Sequence, residues 1–272
     1  MTRILFIGDI MGKSGRKAAA RGLDEVVASS SYDLVIANGE NAAGGFGLTE
    51  SIARGLFDLG IHVLTGGNHS FDKKEIIPLM KEDPRILRPD NYPSGVPGTG
   101  VWTGKAGNGV RVAVVNLMGR VFMQSLEDPF RTGYELVASL EDKADLVLID
   151  FHAEATSEKV AFGWHMDGKV AAVLGTHTHV QTADARVLGG GTAYITDVGM
   201  TGSLDSVIGV RIEDALTRFR LGIPSRFQVA KGNPVFCAVS LELDEQTGRA
   251  VSIQRHWEVL DDLNAAEEED EE

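Results

Sequence analysis

Val170-Ala171-Ala172-Val173-Leu174-Gly175-Thr176-His177-Thr178-His179 begins as a five-residue apolar run and ends, past a glycine, in two histidines. A run this short and this continuous reads as a strand buried on both faces, the pattern of a parallel sheet. Working outward, the same reading applies to Ile4 to Ile7, Leu34 to Ala37, His62 to Leu64, Val110 to Leu117, Leu146 to Ile149 and Ala193 to Ile195. Helical patterns lie between them, at Lys17 to Ala28, Glu50 to Leu59, Lys73 to Lys81, Pro129 to Leu140 and Ser157 to Gly163. This alternation predicts parallel β-α units with helices covering the sheet. From Pro234 onward two alternating stretches flank Gln246-Thr247-Gly248-Arg249 and predict an antiparallel hairpin, with Phe236 and Trp257 in its core. The fold class is therefore α/β, with a mixed sheet or a two-sheet sandwich. No linker cuts the chain, so residues 1–264 read as one domain and 265–272 as a frayed acidic tail.

Polar residues gather just past the carboxyl ends of the runs. Asp9 follows the first, Glu40 and Asn41 the second, Asn68 and His69 the third, His152 the fifth, and His177 and His179 the sixth. Ligands of open α/β sheets bind at the carboxyl ends of strands, so these segments are expected to meet in one crevice. His177 and His179, two apart at a strand end, would point to the same face. Carboxylate, amide and imidazole are donors for first-row metals, and eight such groups suit two ions better than one. Two metals sharing a site clamp the attacking and leaving oxygens of a phosphoryl transfer.

Composition narrows the function. The net charge is −13, and the six acids at 267–272 carry nearly half of it. Such a chain does not hold long nucleic acid by phosphate neutralisation, which needs clustered Lys and Arg. No apolar run approaches the roughly 18 residues of a membrane span. One cysteine forms no internal disulfide, and Asp9 interrupts any signal-peptide hydrophobic region, so a cytoplasmic location is expected.

The order Asp9, Gly39-Glu40-Asn41, Gly67-Asn68-His69, His152 and Gly175-Thr176-His177-Thr178-His179 resembles the calcineurin-like metallophosphoesterases. It is more similar to their YmdB-like branch, bacterial 2′,3′-cyclic nucleotide 2′-phosphodiesterases with a di-iron or di-manganese site. The likeness runs from Phe6-Ile7-Gly8-Asp9 through Asp150-Phe151-His152-Ala153-Glu154 to Ile195-Thr196-Asp197-Val198-Gly199. Met11 stands where the broad superfamily has a histidine, Glu40 where it has an aspartate, and Ser70 where it has a glutamate; Thr176 is extra. Those departures are the branch's own and point away from a generic phosphomonoesterase.

The resemblance implies a sandwich of two mixed sheets flanked by helices. It implies one ion, iron or manganese, on Asp9, Glu40, Asn41 and His179, and a second on Glu40, Asn68, His152 and His177. On the same resemblance Glu40 would bridge them, metal-activated hydroxide would attack the phosphodiester, and His69 would protonate the leaving 2′ oxygen. The implied substrate is a 2′,3′-cyclic nucleotide or another small phosphodiester, with RNA ends and a homo-oligomer left open.

Two rival readings stand beside it. Gly12-Lys13-Ser14 after a strand invites a P-loop NTPase, but Gly8 and Gly12 enclose three residues where that loop needs four. A metal-bearing scaffold or signalling module without catalysis is the other; the spare imidazole of His69 argues against it. Cys237 reads as an inert core thiol, His62, His165 and His256 as structural or exposed, and Arg120 as a surface ion pair rather than a phosphate contact. Glu154 and Asp197 either orient ligand imidazoles or cap turns.

Overall fold

The computed structural model describes residues 1–224 and 226–260, so the acidic stretch and the expected boundary at 264 lie outside the described residues. In chain order the elements are β1 (Thr2–Ile7), β2 (Asp9–Ile10), α1 (Gly12–Ser29), β3 (Leu34–Asn38), α2 (Glu50–Asp58), β4 (Val63–Thr65) and α3 (Ile76–Glu82). There follow β5 (Val101–Lys105), β6 (Arg111–Met118), α4 (Pro129–Ser139), β7 (Leu146–His152), α5 (Thr156–Met166), β8 (Ala172–Thr176), β9 (Arg186–Val187) and β10 (Ala193–Ile195). The last are β11 (Met200–Ser203), α6 (Ile212–Leu221), β12 (Pro234–Asp244) and β13 (Arg249–Val259).

Strand parity builds the layers. In β1, Ile4 and Phe6 enter one apolar cluster while Leu5 and Ile7 enter another; in β3, Leu34 and Ile36 divide from Val35 and Ala37 in the same way. The second sheet obeys the same rule, with Val112, Val114, Leu146 and Leu148 in the shared cluster and Ala113, Val115, Ile149 and Phe151 facing α4 and α5. Successive side chains of a strand point to opposite faces, so each continuous apolar run fills two cores. The result is helices, sheet, sheet, helices: the two-sheet sandwich expected.

One sheet runs β2-β11-β12-β1-β3-β4, with β13 also paired to β12; the other runs β5-β6-β7-β8-β10-β9. β1, β3 and β4 are mutually parallel, as are β6, β7, β8 and β10. The antiparallel hairpin of β12 and β13 forms as read, with a register shift between Glu242 and Leu243. Its core differs in one respect: Phe236 is buried, but Trp257 is 52% exposed because β13 lies at an edge and turns that position outward. Thr49 caps α2 by accepting from the Ile52 N–H, and Asp128 caps α4 ahead of Pro129. No described helix is long and apolar enough to cross a membrane.

Two glycines let the chain cross itself at the strand ends. A Cβ on Gly8 would stand 1.9 Å from Gly199 O, and one on Gly175 1.8 Å from Thr196 O. Both neighbours are backbone and cannot swing away. Gly175→Ala is therefore expected to lower unfolding free energy by about 3 kcal/mol, the upper range for overpacking. Urea denaturation checks this; a loss under about 0.5 kcal/mol, the usual scale for surface substitutions, would mean the crossing is looser than described.

Candidate metal centre

The parallel strands of both sheets deliver their carboxyl ends to one edge. Asp9 opens β2, Glu40 and Asn41 follow β3, Asn68 and His69 follow β4, His152 ends β7, and His177 and His179 follow β8. Asp9 and His152 have no solvent exposure, and Glu40 and Asn41 almost none.

His152 lies at the middle. Its Nδ1 is 2.9 Å from Thr176 Oγ1, whose own proton goes to Asp150 Oδ1 at 2.6 Å. Asn38 Nδ2 holds the other Asp150 oxygen at 3.2 Å. The hydroxyl thus accepts from His152 Nδ1–H, and Nε2 faces Asn68 Oδ1 at 2.9 Å, Glu40 Oε1 at 3.1 Å and His177 Nδ1 at 3.1 Å. Glu40, His152 and His177 offer donor atoms that all lie within 4.8 Å of one another. On the other side, His179 Nε2 approaches Asn41 Nδ2 at 3.1 Å and Asp9 Oδ1 at 3.9 Å. Its Nδ1 meets the Ile208 carbonyl at 2.9 Å. A carbonyl only accepts, so Nδ1 carries the proton and Nε2 the lone pair.

His177 and His179 do not reach the site as strand residues. β8 ends at Thr176, and the two adopt φ of 100° and 67°, so loop geometry aims each ring separately: His177 joins His152, and His179 joins Asn41. Backbone of this kind costs about 1–3 kcal/mol per residue and persists only when surroundings hold it. Here Asp197 Oδ2 accepts from Thr178 N at 3.0 Å and Thr178 Oγ1 at 2.8 Å, and Lys159 Nζ donates to Asp197 Oδ2 and to Thr176 O, both at 2.6 Å. Asp9 Oδ2 accepts from His177 N at 3.3 Å.

Electrostatics show what the donor set lacks. Burial opposes charge on His152, yet Glu40, Asp9 and Asp150 raise its pKa to about 9. Burial would raise Glu40, but His152 and His69 bring it down to about 2. Burial lifts Asp9 to about 6, and its Oδ1 has no hydrogen-bond partner among the described residues. Burial and the neighbouring His152 lower His177 to about 3. Once deprotonated, His152 aims a lone pair at two oxygens and a second imidazole, an arrangement that a cation among them satisfies. The residues fit a metal.

A pH dependence follows. The raised pKa of His152 contributes stability to the metal-free protein that is complete below about 6.5 and lost as pH rises through about 9. Metal-free protein should lose melting temperature across that window, whereas manganese loading, which takes the place of the proton, should flatten it. Scanning calorimetry of both forms decides; a metal-free profile flat over the window would contradict the charge assigned to His152.

His69 stands apart from the donor cluster. Its backbone N–H donates to Glu40 Oε2 at 3.0 Å, its Nδ1 pairs with Asp72 Oδ2 at 2.8 Å, and its ring meets Phe46 edge-on at 5.0 Å. A cavity of about 220 Å³ is lined by His69 together with Glu40, Asn41, His177 and His179.

Asp72, Asn38 and Lys159 carry no mark in the sequence, whereas Asp150 and Thr176 enter it only as members of the motifs that carry the resemblance, without a role of their own. Lys159 resembles an ordinary helix charge, yet is 1% exposed. Of the open alternatives, Glu154 lies 3.1 Å from His177 Nε2, and Asp197 is the buried anchor just described. Arg120 pairs with Asp128 at the surface at 3.3 Å, and Cys237 is buried with its thiol pushed by burial to about 12. The P-loop reading fails structurally as well. Gly12 N donates to Asn41 O and Ser14 Oγ to Ala230 O, groups that such a loop would turn toward phosphate and magnesium respectively.

Two mixed sheets face to face, with nitrogen and oxygen donors gathered at their carboxyl edge, define a metallophosphoesterase-type fold. Superposition agrees: the crystal structure of a novel phosphatase from Mycoplasma pneumoniae matches with a TM-score of 0.90 at 33% identity, covering 96% of this chain and 94% of that one. The chain belongs to the YmdB-like protein family, whose model matches residues 5–256. A Bacillus subtilis (strain 168) relative, the 2′,3′-cyclic-nucleotide 2′-phosphodiesterase, is 48% identical over 253 residues, 93% of this chain and 96% of that protein. A hypothetical protein from Thermus thermophilus, known as a crystal structure, is 46% identical with a TM-score of 0.88, covering 95% of this chain and 99% of that one.

Proposed function

We propose that this protein is a metal-dependent phosphodiesterase that opens 2′,3′-cyclic nucleotides with the 2′ oxygen as leaving group. The observation that carries the proposal is the convergence of His152 Nε2, His177 Nδ1 and Glu40 beside a cavity that also receives the non-ligand imidazole of His69. The B. subtilis relative's named activity supports the substrate.

Asp9, Glu40, Asn41 and His179 would hold one ion and Glu40, Asn68, His152 and His177 a second, iron or manganese. Asn41 would present Oδ1 after an isosteric flip of its amide. When bound, such ions supply Lewis acidity to the phosphoryl group and lower the pKa of coordinated water. The chain's own residues do the rest. Asp150 and Thr176 hold His152 in the tautomer that offers Nε2, Lys159 and Asp197 hold the histidine loop, and Asp72 orients His69 so that Nε2 is available to the substrate. Water adds to phosphorus and releases one proton to solvent, the P–O2′ bond breaks, and the 2′ oxygen takes the Nε2 proton of protonated His69, leaving a 3′-phosphomonoester; His69 then regains a proton from solvent. Residues 1–264 would form the catalytic domain, and the same cyclic phosphate at an RNA 3′ end could enter if the cavity mouth admits it. The single buried cysteine suits a reducing, cytoplasmic setting.

Phosphorus NMR of 2′,3′-cyclic AMP incubated with manganese-loaded protein tests the reading. The expected main product is 3′-AMP. A 2′-AMP product would reverse the leaving-group assignment, and intact substrate beside fully loaded protein would overturn the activity.

A further inference from the structure

Between β11 and β12 the chain leaves both sheets. Residues 204–224 and 226–233 carry α6 and form a cap, fixed to the body by a small apolar cluster in which Val210 and Ala215 meet Met11 and Met200, and held together within itself by the bridges Val207↔Val210 and Val210↔Val229. The Ile208 carbonyl ties it to His179. The cap faces the donor cluster across the 220 Å³ cavity, to whose wall it contributes Val207, Ile208, Val210, Ala215, Phe219 and Phe227.

We propose that this wall seats the nucleobase, with Phe219 as the stacking platform. The inference rests on the cyclic-nucleotide reading above. The cavity is polar at one end, where the phosphate would meet the donor residues, and apolar at the other, the amphipathic division that a nucleotide itself has. Three phenyl rings line it, but they are not equivalent. Phe227 is covered by the Arg218 guanidinium at 4.9 Å, and Phe46 is met edge-on by His69. Phe219 is 79% exposed, a large ring left in water at the cavity's rim. A planar base laid on it would bury surface that the fold leaves open. The cap contributes only apolar side chains to the wall, so recognition would be by stacking, without reading of base edges; every base has a face that can stack.

Alanine removal of a stacking ring costs about 5- to 150-fold in affinity per base. We therefore expect wild-type protein to prefer 2′,3′-cyclic AMP and 2′,3′-cyclic GMP alike over 1-O-methylribose 2′,3′-cyclic phosphate, which lacks the base. Phe219→Ala should collapse that preference through KM rather than kcat, and Phe219→Trp should retain it; since residue 219 is exposed, both variants should fold. Binding gives a second readout that needs no turnover: the fluorescence of 2-aminopurine riboside 3′-phosphate should be quenched by wild-type protein and not by Phe219→Ala. Equal rates with and without the base in wild-type protein, or quenching that survives Phe219→Ala, would overturn the proposal. Quenching that depends on Phe219 in a protein that hydrolyses neither ester would uphold the seat and fault the catalytic reading alone.

Discussion

Glu40→Ala is expected to abolish tight metal loading at both positions and reduce hydrolysis to the level of metal-stripped protein. The side chain is almost wholly buried, and its two oxygens serve different partners: Oε1 faces His152 Nε2 at 3.1 Å, and Oε2 accepts from His69 N at 3.0 Å. Glu40 thereby joins the β4 turn to the β7 end, and its loss removes the link between His69 and His152, leaving Asn68 Oδ1 as the direct contact to His152 Nε2. The truncation also leaves a buried imidazole without its nearest anion. An unpaired buried group costs about 1–3 kcal/mol, so the variant should fold with reduced stability. Glu40→Gln keeps the volume and the acceptor for His69 N but removes the charge, and should recover stability more than metal affinity. Elemental analysis after saturation with iron or manganese, with circular dichroism to confirm folding, provides the measure. Two ions retained by folded Glu40→Ala would remove the bridging role, and wild-type protein that never holds more than one would remove the dinuclear site.

The donor residues were legible because each follows a strand whose apolar run is continuous, and parallel strands must share one carboxyl edge. Ile4 to Ile7 and Leu146 to Ile149 therefore place Asp9 and His152 each at a carboxyl edge on sequence grounds, and the face-to-face packing of the two sheets brings those edges together. What holds the donors was not legible. Lys159 lies in a helix pattern where a charge normally meets water, and only the fold shows it sealed against Asp197 beneath the histidine loop. The alternation argument for His177 and His179 reached the right crevice for a reason the backbone does not use, since positive φ rather than strand parity aims the rings. The α6 cap escaped notice because Leu216 and Phe219 remain exposed, 48% and 79%, and so form no buried face to set the helical period against a core. β5 was missed for a related reason: it is an edge strand, partly solvent-facing, with a glycine next to its end.

His69→Ala is expected to leave metal loading intact while slowing hydrolysis of 2′,3′-cyclic AMP by about 10²–10⁴-fold, the usual range for loss of a general acid. Metal retention follows from placement. The His69 ring is engaged by Asp72 and Phe46 rather than by the donor cluster, and the contact that matters to Glu40 is made by the backbone N–H, which alanine keeps. The rate loss follows from what the 2′ oxygen requires. An alkoxide is a poor leaving group at neutral pH, so a proton must arrive as the P–O2′ bond breaks, and an imidazole is suited to deliver it there. With Nδ1–H donated to the Asp72 carboxylate, the proton that serves the substrate is the Nε2 proton of the protonated ring. A nitrophenolate departs without that help, so the defect should shrink toward unity with bis-p-nitrophenyl phosphate. The leaving-group contrast separates proton donation from positioning, because a mispositioned phosphate would slow both esters alike. Parallel losses on the two substrates would recast His69 as a positioning residue, and loss of metal from His69→Ala would place it among the ligands.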